Sequence, residues 1–228
     1  MTKNRALQNI IRYESETYGD IVQESFLDSY RNLTYKAIEG AKWTSTYCKS
    51  AKLILKTDDD IVVDVHLLFH HIERLRAANR AINNTIICKV VSNVLVNHNS
   101  SKWKVTVNEY NKTIYPPFCP GYAFVMTADI VPKLYQASFY EKFFWIDDIY
   151  LTGLLAQTIK VKHETLKSTV FIKSEKKVKK KKIWQNNCRW IFYRFGYRHT
   201  SVDIWYMIKL QKAKLFRKKE PFSVCFNK

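Results

Sequence analysis

The chain has 228 residues, 46% of them hydrophobic and 14% aromatic, enough apolar material for one large domain or two small ones, which excludes a disordered polypeptide. Lys and Arg outnumber Asp and Glu by 38 to 20, a net charge of +18 that by itself favours a polyanionic partner such as nucleic acid, an acidic membrane surface or a phosphorylated ligand. No stretch reaches the roughly 18 consecutive apolar residues of a membrane span, and the opening MTKNRALQNIIRYESE lacks the apolar core of a secretory signal.

In chain order, residues 20–23 read as a short strand. From Tyr30 the residues Leu33, Thr34, Ala37, Ile38 and Ala41 follow the spacing of one helical face, capped by Asp28 or Ser29, with Asn32 on the opposite, wet face. Residues 53–55 read as a buried strand, and Asp64 opens a second helix whose inner face holds Val65, Leu68, Phe69, Ile72 and Leu75. Strand, helix, strand, helix predicts a mostly parallel central sheet with right-handed crossovers, flanked by helices.

Residues 85–91 and 103–107 read as further strands, the second alternating Trp103, Val105 and Val107. YPPFCPG, ending at Gly121, reads as a rigid turn in which two prolines fix φ and the glycine supplies conformations that other residues avoid. Residues 124–126 resume a strand, Thr127 caps a short helix, and FFWIDDIYLTGLLAQTI leads into a helix with Leu151, Leu154, Leu155 and Ile159 facing inward. RWIFYRF is another strand, and Thr200 with Asp203 forms a capping box for a last helix. No internal repeat is present, and the lysine run KSEKKVKKKK is the one low-complexity segment. The expectation is a single α/β domain over residues 1–228, with a basic insertion near 173–182 and a basic C-terminal tail.

Four N-x-[ST] sequons, at Asn32, Asn83, Asn99 and Asn111, suggest glycosylation in a secretory compartment. That conflicts with the missing signal unless the natural chain begins further upstream. The five cysteines include no C-x-x-C pair, hence no zinc spacing, and their odd number leaves at least one free thiol.

Two carboxylate clusters carry chemistry. Asp58, Asp59 and Asp60 follow the 53–55 strand, where an open parallel sheet binds its ligands. Asp58 and Asp60, spaced as D-x-D, converge on one side and suit Mg²⁺ or Mn²⁺, ions that take oxygen ligands and keep water and substrate phosphates in their remaining positions. A solvated turn is the simpler use of such a run. Asp147 and Asp148 sit at a helix start, where an anion is stabilised and where a carboxylate serves either as a general base or as an ordinary N-cap. His66, His70 and His71 lack the spacing of a zinc protease and read as structural, while His199 ends a loop that could reach a metal. The lysine run reads as a solvated loop, since no regularly interleaved aromatics support nucleic-acid binding.

The blocks YGDIVQESFLDSYRNLTYKAIEGAKWTSTYC, LKTDDDIVVDV, YPPFCPGYAFVMT and FFWIDDIYLTG, followed loosely by RHTSVDIWYMIK, together resemble the β-1,3-galactosyltransferase-like family of inverting glycosyltransferases. The resemblance implies a GT-A-like α/β fold and transfer of a sugar from a UDP-sugar to a glycan acceptor with Mn²⁺ or Mg²⁺. It implies Asp60 and His199 as metal ligands, Lys56, Asp58, Asp59, Gly121 and Asp147 at the substrates, and Asp148 as the base, with Asp147 and Ile149 where the family has Glu and Val. Cys119 and Gly121 fit the family pattern, and Ala123 replaces a frequent glycine. It also implies the lumenal side of the Golgi membrane, reached through an N-terminal anchor that this chain does not include, and a family first strand and arginine-bearing helix that would precede it. The expected function is therefore a metal-dependent hexosyltransferase, with a truncated, inactive binding or structural relative as the alternative. A nucleic-acid-binding module explains the lysines but neither aspartate cluster, so no nucleic-acid partner is expected.

Overall fold

The computed structural model describes residues 4–78, 82–99, 102–166, 169–172, 188–195 and 223–224. The strands, in chain order, are β1 (Leu53–Thr57), β2 (Ile61–Val63), β3 (Thr85–Cys88), β4 (Ala123–Thr127), β5 (Lys162–Thr165), β6 (Thr169–Ile172), β7 (Cys188–Arg189), β8 (Phe192–Phe195) and β9 (Ser223–Val224). The helices are α1 (Arg5–Tyr18), α2 (Leu33–Tyr47), α3 (Val65–Ala77) and α4 (Val131–Ala137). A further helix among the described residues, α5, is α-helical at Asp147–Ile149, π-helical at Tyr150–Leu155 and α-helical again at Ala156–Thr158.

The central sheet has the order β1-β4-β3-β5. Here the expectation of a mostly parallel sheet is corrected. β4 pairs antiparallel with both β1 and β3, and only β3 and β5 pair in parallel. β1, β3 and β5 do share one direction, as strands joined through helices should, but β4 is inserted between them head to tail. The cause is the connection from β3 to β4, which contains no helix among its described residues. A parallel return needs a crossover, usually a helix; a looping return brings the chain back antiparallel. β2, β8 and β6 form a second sheet and β7 pairs with β9.

Period-two alternation decides where each strand buries its side chains. Phe124 and Met126 of β4, with Ile86 of β3, face α2, α4 and α5, joining Ala41, Ile130, Leu134, Leu151 and Leu155 in one core. Ala123, Val125 and Ile87 point the opposite way, against Leu67, Leu68, Ile72 and Leu75 of α3 and against Phe192. The two cores thus sandwich the sheet, and β1 is left at its edge, half-buried rather than buried as expected.

Other local expectations shift for identifiable reasons. Residues 20–23 form no strand; Gly19, in the left-handed region at φ 65°, ends α1, and the chain runs on irregularly. A 3₁₀ turn at Tyr30–Asn32 precedes α2, so Asn32 occupies the helix cap. Asp64 caps α3 as expected, its carboxylate accepting from Leu67 N–H at 3.1 Å, but the buried face takes Leu67 in place of Val65 and Phe69, which are exposed. The predicted 85–91 strand stops at Cys88, and Val91 makes only an isolated bridge to Phe118. Residues 103–107 are not a strand: Val105 is buried while Trp103 and Val107 face solvent. Thr127 stands at the start of a 3₁₀ turn, yet its hydroxyl accepts from Thr85 N–H at 3.0 Å instead of capping that turn. The lysine run, His199 and the Thr200–Asp203 capping box lie outside the described residues.

Candidate active site

β1 delivers the chain directly into the aspartate turn. Asp58 N–H donates to Tyr122 O at 3.1 Å and Ile61 N–H to Asp58 O at 3.2 Å, which ties the turn to the residues entering β4. The Lys56 ammonium lies 2.6 Å from Asp58 Oδ1 and also donates to Gly121 O. This shared cation holds Asp58 against the Gly121 peptide. Asp59 is exposed to solvent. Asp60 differs: its Oδ1 is buried with no hydrogen-bond partner among the described residues, and its Oδ2 is 4.0 Å from Arg194 Nε, whose guanidinium stacks on Tyr122.

A buried carboxylate oxygen without a donor is costly unless a cation reaches it. Asp60 therefore fits a hard divalent ion, which accepts one or two protein carboxylates and completes its shell with water and phosphate oxygens. Among the described residues no three His, Cys, Asp or Glu side chains are grouped to hold an ion by themselves. His199, the expected second ligand, is outside them.

The second cluster opens α5. Asp148 Oδ2 accepts from Gly121 N–H at 3.0 Å and its Oδ1 from Ile149 N–H at 2.8 Å. Gly121 does not supply the unusual backbone angle that the sequence suggested: its φ is not in the left-handed region, and a Cβ on it would stand 3.5 Å from Asp148 Cβ, an ordinary van der Waals contact. Burial, reinforced by the Asp147 charge, pushes the Asp148 carboxyl up to about 6, against the two N–H donors and Lys56, which favour the anion. Burial also raises Asp147, opposed by Lys56.

Lys56, Asp58, Asp59, Asp60, Asp147 and Asp148 all line one cleft of about 870 Å³ between β1, β4 and α2. Two acidic clusters 88 positions apart in the sequence share this space because both are fastened to the backbone of Gly121. Its N–H holds Asp148, and its carbonyl holds the lysine that holds Asp58.

Sequence reasoning missed three parts of the surroundings. Arg194 beside Asp60 comes from a distant strand, and Cys88 pairs with Cys119 in a fully buried disulfide that the cysteine spacing does not single out. Cys48 carries a free thiol. His163, on β5, is half-buried and burial pushes its imidazole down, yet nothing in its flanking residues marks it. His66 and His70 are exposed on α3 and His71 is half-buried. Of the sequons, Asn83, Asn99 and Asn111 are exposed, while Asn32 is half-buried and donates from Nδ2 to Leu27 O at 2.8 Å.

An edge strand ending in an acidic turn and a half-buried carboxylate at a helix start line one cleft of this α/β domain. The chain belongs to the Galactosyltransferase family, whose model matches residues 1–167, and the GT-A-like α/β reading of its fold accords with that membership. It is 31% identical over 145 residues to Beta-1,3-galactosyltransferase 1 of Homo sapiens, covering 64% of this chain and 44% of that protein, and the Mus musculus protein of the same name matches equally. Beta-1,3-galactosyltransferase 5 of Pan paniscus is 31% identical over 167 residues, covering 73% of this chain and 54% of that protein. The chain thus spans about half the length of the curated relatives it matches. Among the described residues no helix is long and apolar enough to cross a membrane.

Proposed function

We propose that this chain forms the acidic half of the catalytic site of a hexosyltransferase that passes a sugar from a UDP-sugar to a glycan hydroxyl with inversion. The observation that carries this reading is Asp148: a carboxylate lining the same cleft as the aspartate turn, buried enough to titrate near neutrality and held in place by two backbone N–H groups. Asp60, with His199 as the proposed second ligand, would hold Mn²⁺ or Mg²⁺, which would supply Lewis-acid neutralisation of the diphosphate leaving group. Asp58 and Asp59 orient the donor beside it, and Lys56 keeps Asp58 in register. Asp148 takes the proton of the acceptor hydroxyl as that oxygen attacks the anomeric carbon from the face opposite the diphosphate. Asp147 contacts the acceptor. One displacement needs no covalent nucleophile.

The donor site is tested by ligand linkage. A ligand present at 100 times its Kd stabilises by about 2.7 kcal/mol, so Mn²⁺ with UDP raises the melting temperature of the protein by several degrees. Asp60→Ala removes most of that rise. Absence of a shift in the wild-type chain at millimolar Mn²⁺ and UDP would remove the donor site from the reading. A shift without any transfer would instead support the alternative, a binding relative that no longer reacts.

We further place the protein on the lumenal side of the Golgi membrane, in keeping with the sequons and with a buried disulfide, which persists in oxidising compartments. Asn99 and Asn111, both exposed, are expected to carry glycans when the protein is expressed through the secretory pathway, whereas Asn32, whose amide is bonded to Leu27 O, stays bare. Mass spectrometry of peptides after enzymatic glycan release reads each site separately; a glycan at Asn32 or bare Asn111 contradicts the assignment.

A further inference from the structure

We propose that His163 is a positioning residue for Asp148, acting through Thr152 in the π-helical stretch of α5. The inference rests on Asp148 being the base. His163 Nε2 lies 2.7 Å from Thr152 O. A carbonyl only accepts, so Nε2 carries the proton in this contact. π-helical turns are where side chains reach into the hydrogen-bond ladder, and they are frequent at functional sites.

Thr152 is fully buried. Its hydroxyl donates to Asp148 O at 2.6 Å and accepts from Cys119 N–H at 2.9 Å. Cys119 is bonded to Cys88 of β3, the strand that pairs with β5 and sets Ile86 opposite His163. Next to Thr152, Gly153 has no Cβ, and one placed there would meet Pro116 and Phe118 at 3.3 Å. The π stretch is therefore pressed against the turn that ends in Gly121, the residue whose N–H holds the Asp148 carboxylate. Asp148 is gripped at both ends by one turn: its backbone carbonyl through Thr152 and its side chain through Gly121. His163 ties that assembly to the sheet.

This arrangement has consequences that a filler residue would not. Displacing a reacting group by about 1 Å can cost on the order of 100-fold in rate, while a donor site built on the aspartate turn is unaffected by the same displacement. His163→Leu removes the ring donor, and His163→Gln keeps an N–H at similar reach. With UDP-galactose as donor and a panel of monosaccharide glycosides as acceptors, His163→Leu is expected to lower kcat by about 10- to 100-fold with KM for UDP-galactose changed less than about twofold. His163→Gln recovers most of the loss. Equal kcat values for the wild type and both variants, or equal losses in both, overturn the proposal.

A second readout does not depend on turnover. In ¹H–¹⁵N spectra the amide signals of Gly121 and Ile149, the two donors to Asp148, move in His163→Leu and return toward wild type in His163→Gln. If they stay fixed in both variants, His163 does not position Asp148. If the wild-type chain shows no transfer at all, the hexosyltransferase reading fails, and the spectra still decide whether His163 orders Asp148.

Discussion

On the proposed reading, replacing Asp148 with Asn is expected to lower kcat for sugar transfer by about 10³, within the 10² to 10⁴ range of general-base catalysis, while the melting shift expected with Mn²⁺ and UDP is kept. The side chain keeps its shape and can still accept from Gly121 N–H, but it cannot take a proton. The wild-type pH profile carries the same assignment. With its carboxyl at about 6, Asp148 is the anion that the proposed base role requires above that pH and is progressively protonated below it. Rate therefore falls about tenfold for each unit of pH below 6, by the titration of one group, and levels off above. A profile flat down to pH 5 removes Asp148 as the base.

The same raised value sets a stability trend. The folded carboxyl titrates near 6 and the ordinary one at 3.8, so protonation favours the folded state. That contribution is fully present below pH about 4 and is lost as pH rises through about 6. Above pH 7 the buried anion is a net cost, and the neutral Asn variant is expected to be at least as stable as the wild type. Loss of activity with stability retained separates a missing base from a broken fold.

Removing the Cys88–Cys119 disulfide has the second largest expected effect. The bond closes a loop with a sequence separation of 31 residues, for which chain entropy gives about 3 to 4 kcal/mol of stabilisation. In a domain of this size that corresponds to a melting temperature lower by about 10 °C. Cys88→Ser with Cys119→Ser, measured by thermal unfolding beside the wild type with and without reductant, reads the effect. Because Cys119 N–H also binds Thr152, transfer should decline as well, through loosened placement of Asp148. A double variant as stable as the parent contradicts the disulfide's expected contribution.

The elements that were legible in the sequence are those whose cause is local. LILKT forms a strand because apolar and β-branched side chains fit a pleated, partly buried surface, and Asp64 starts α3 because its carboxylate satisfies a free N–H three residues on. The aspartate turn after β1 and the acidic start of α5 have the same kind of local cause. Residues 103–107 show the limit: the alternation of Trp103, Val105 and Val107 is real, but no neighbouring strand meets it, and only Val105 finds a core. Val65 and Phe69 fit the helical spacing of α3 no worse than Leu67, and packing against β4 and β8 chose the leucine.

The direction of β4 was equally beyond local reading, since strand polarity depends on how the preceding connection returns. So was the π-helical stretch of α5, which places Thr152 between Asp148 and Cys119. Arg194 and His163 reach the site region from strands whose own residues do not announce it.

By itself the sequence determined the acidic chemistry: which carboxylates exist, that one set ends a strand and the other begins a helix, and the family to which these blocks belong. Only the tertiary structure decided that the two sets face a single cleft. They are joined there through the N–H and carbonyl of Gly121, with Lys56 and Asp148 on either side. A backbone peptide group is the same at every position, so no residue type can signal which one will become the link.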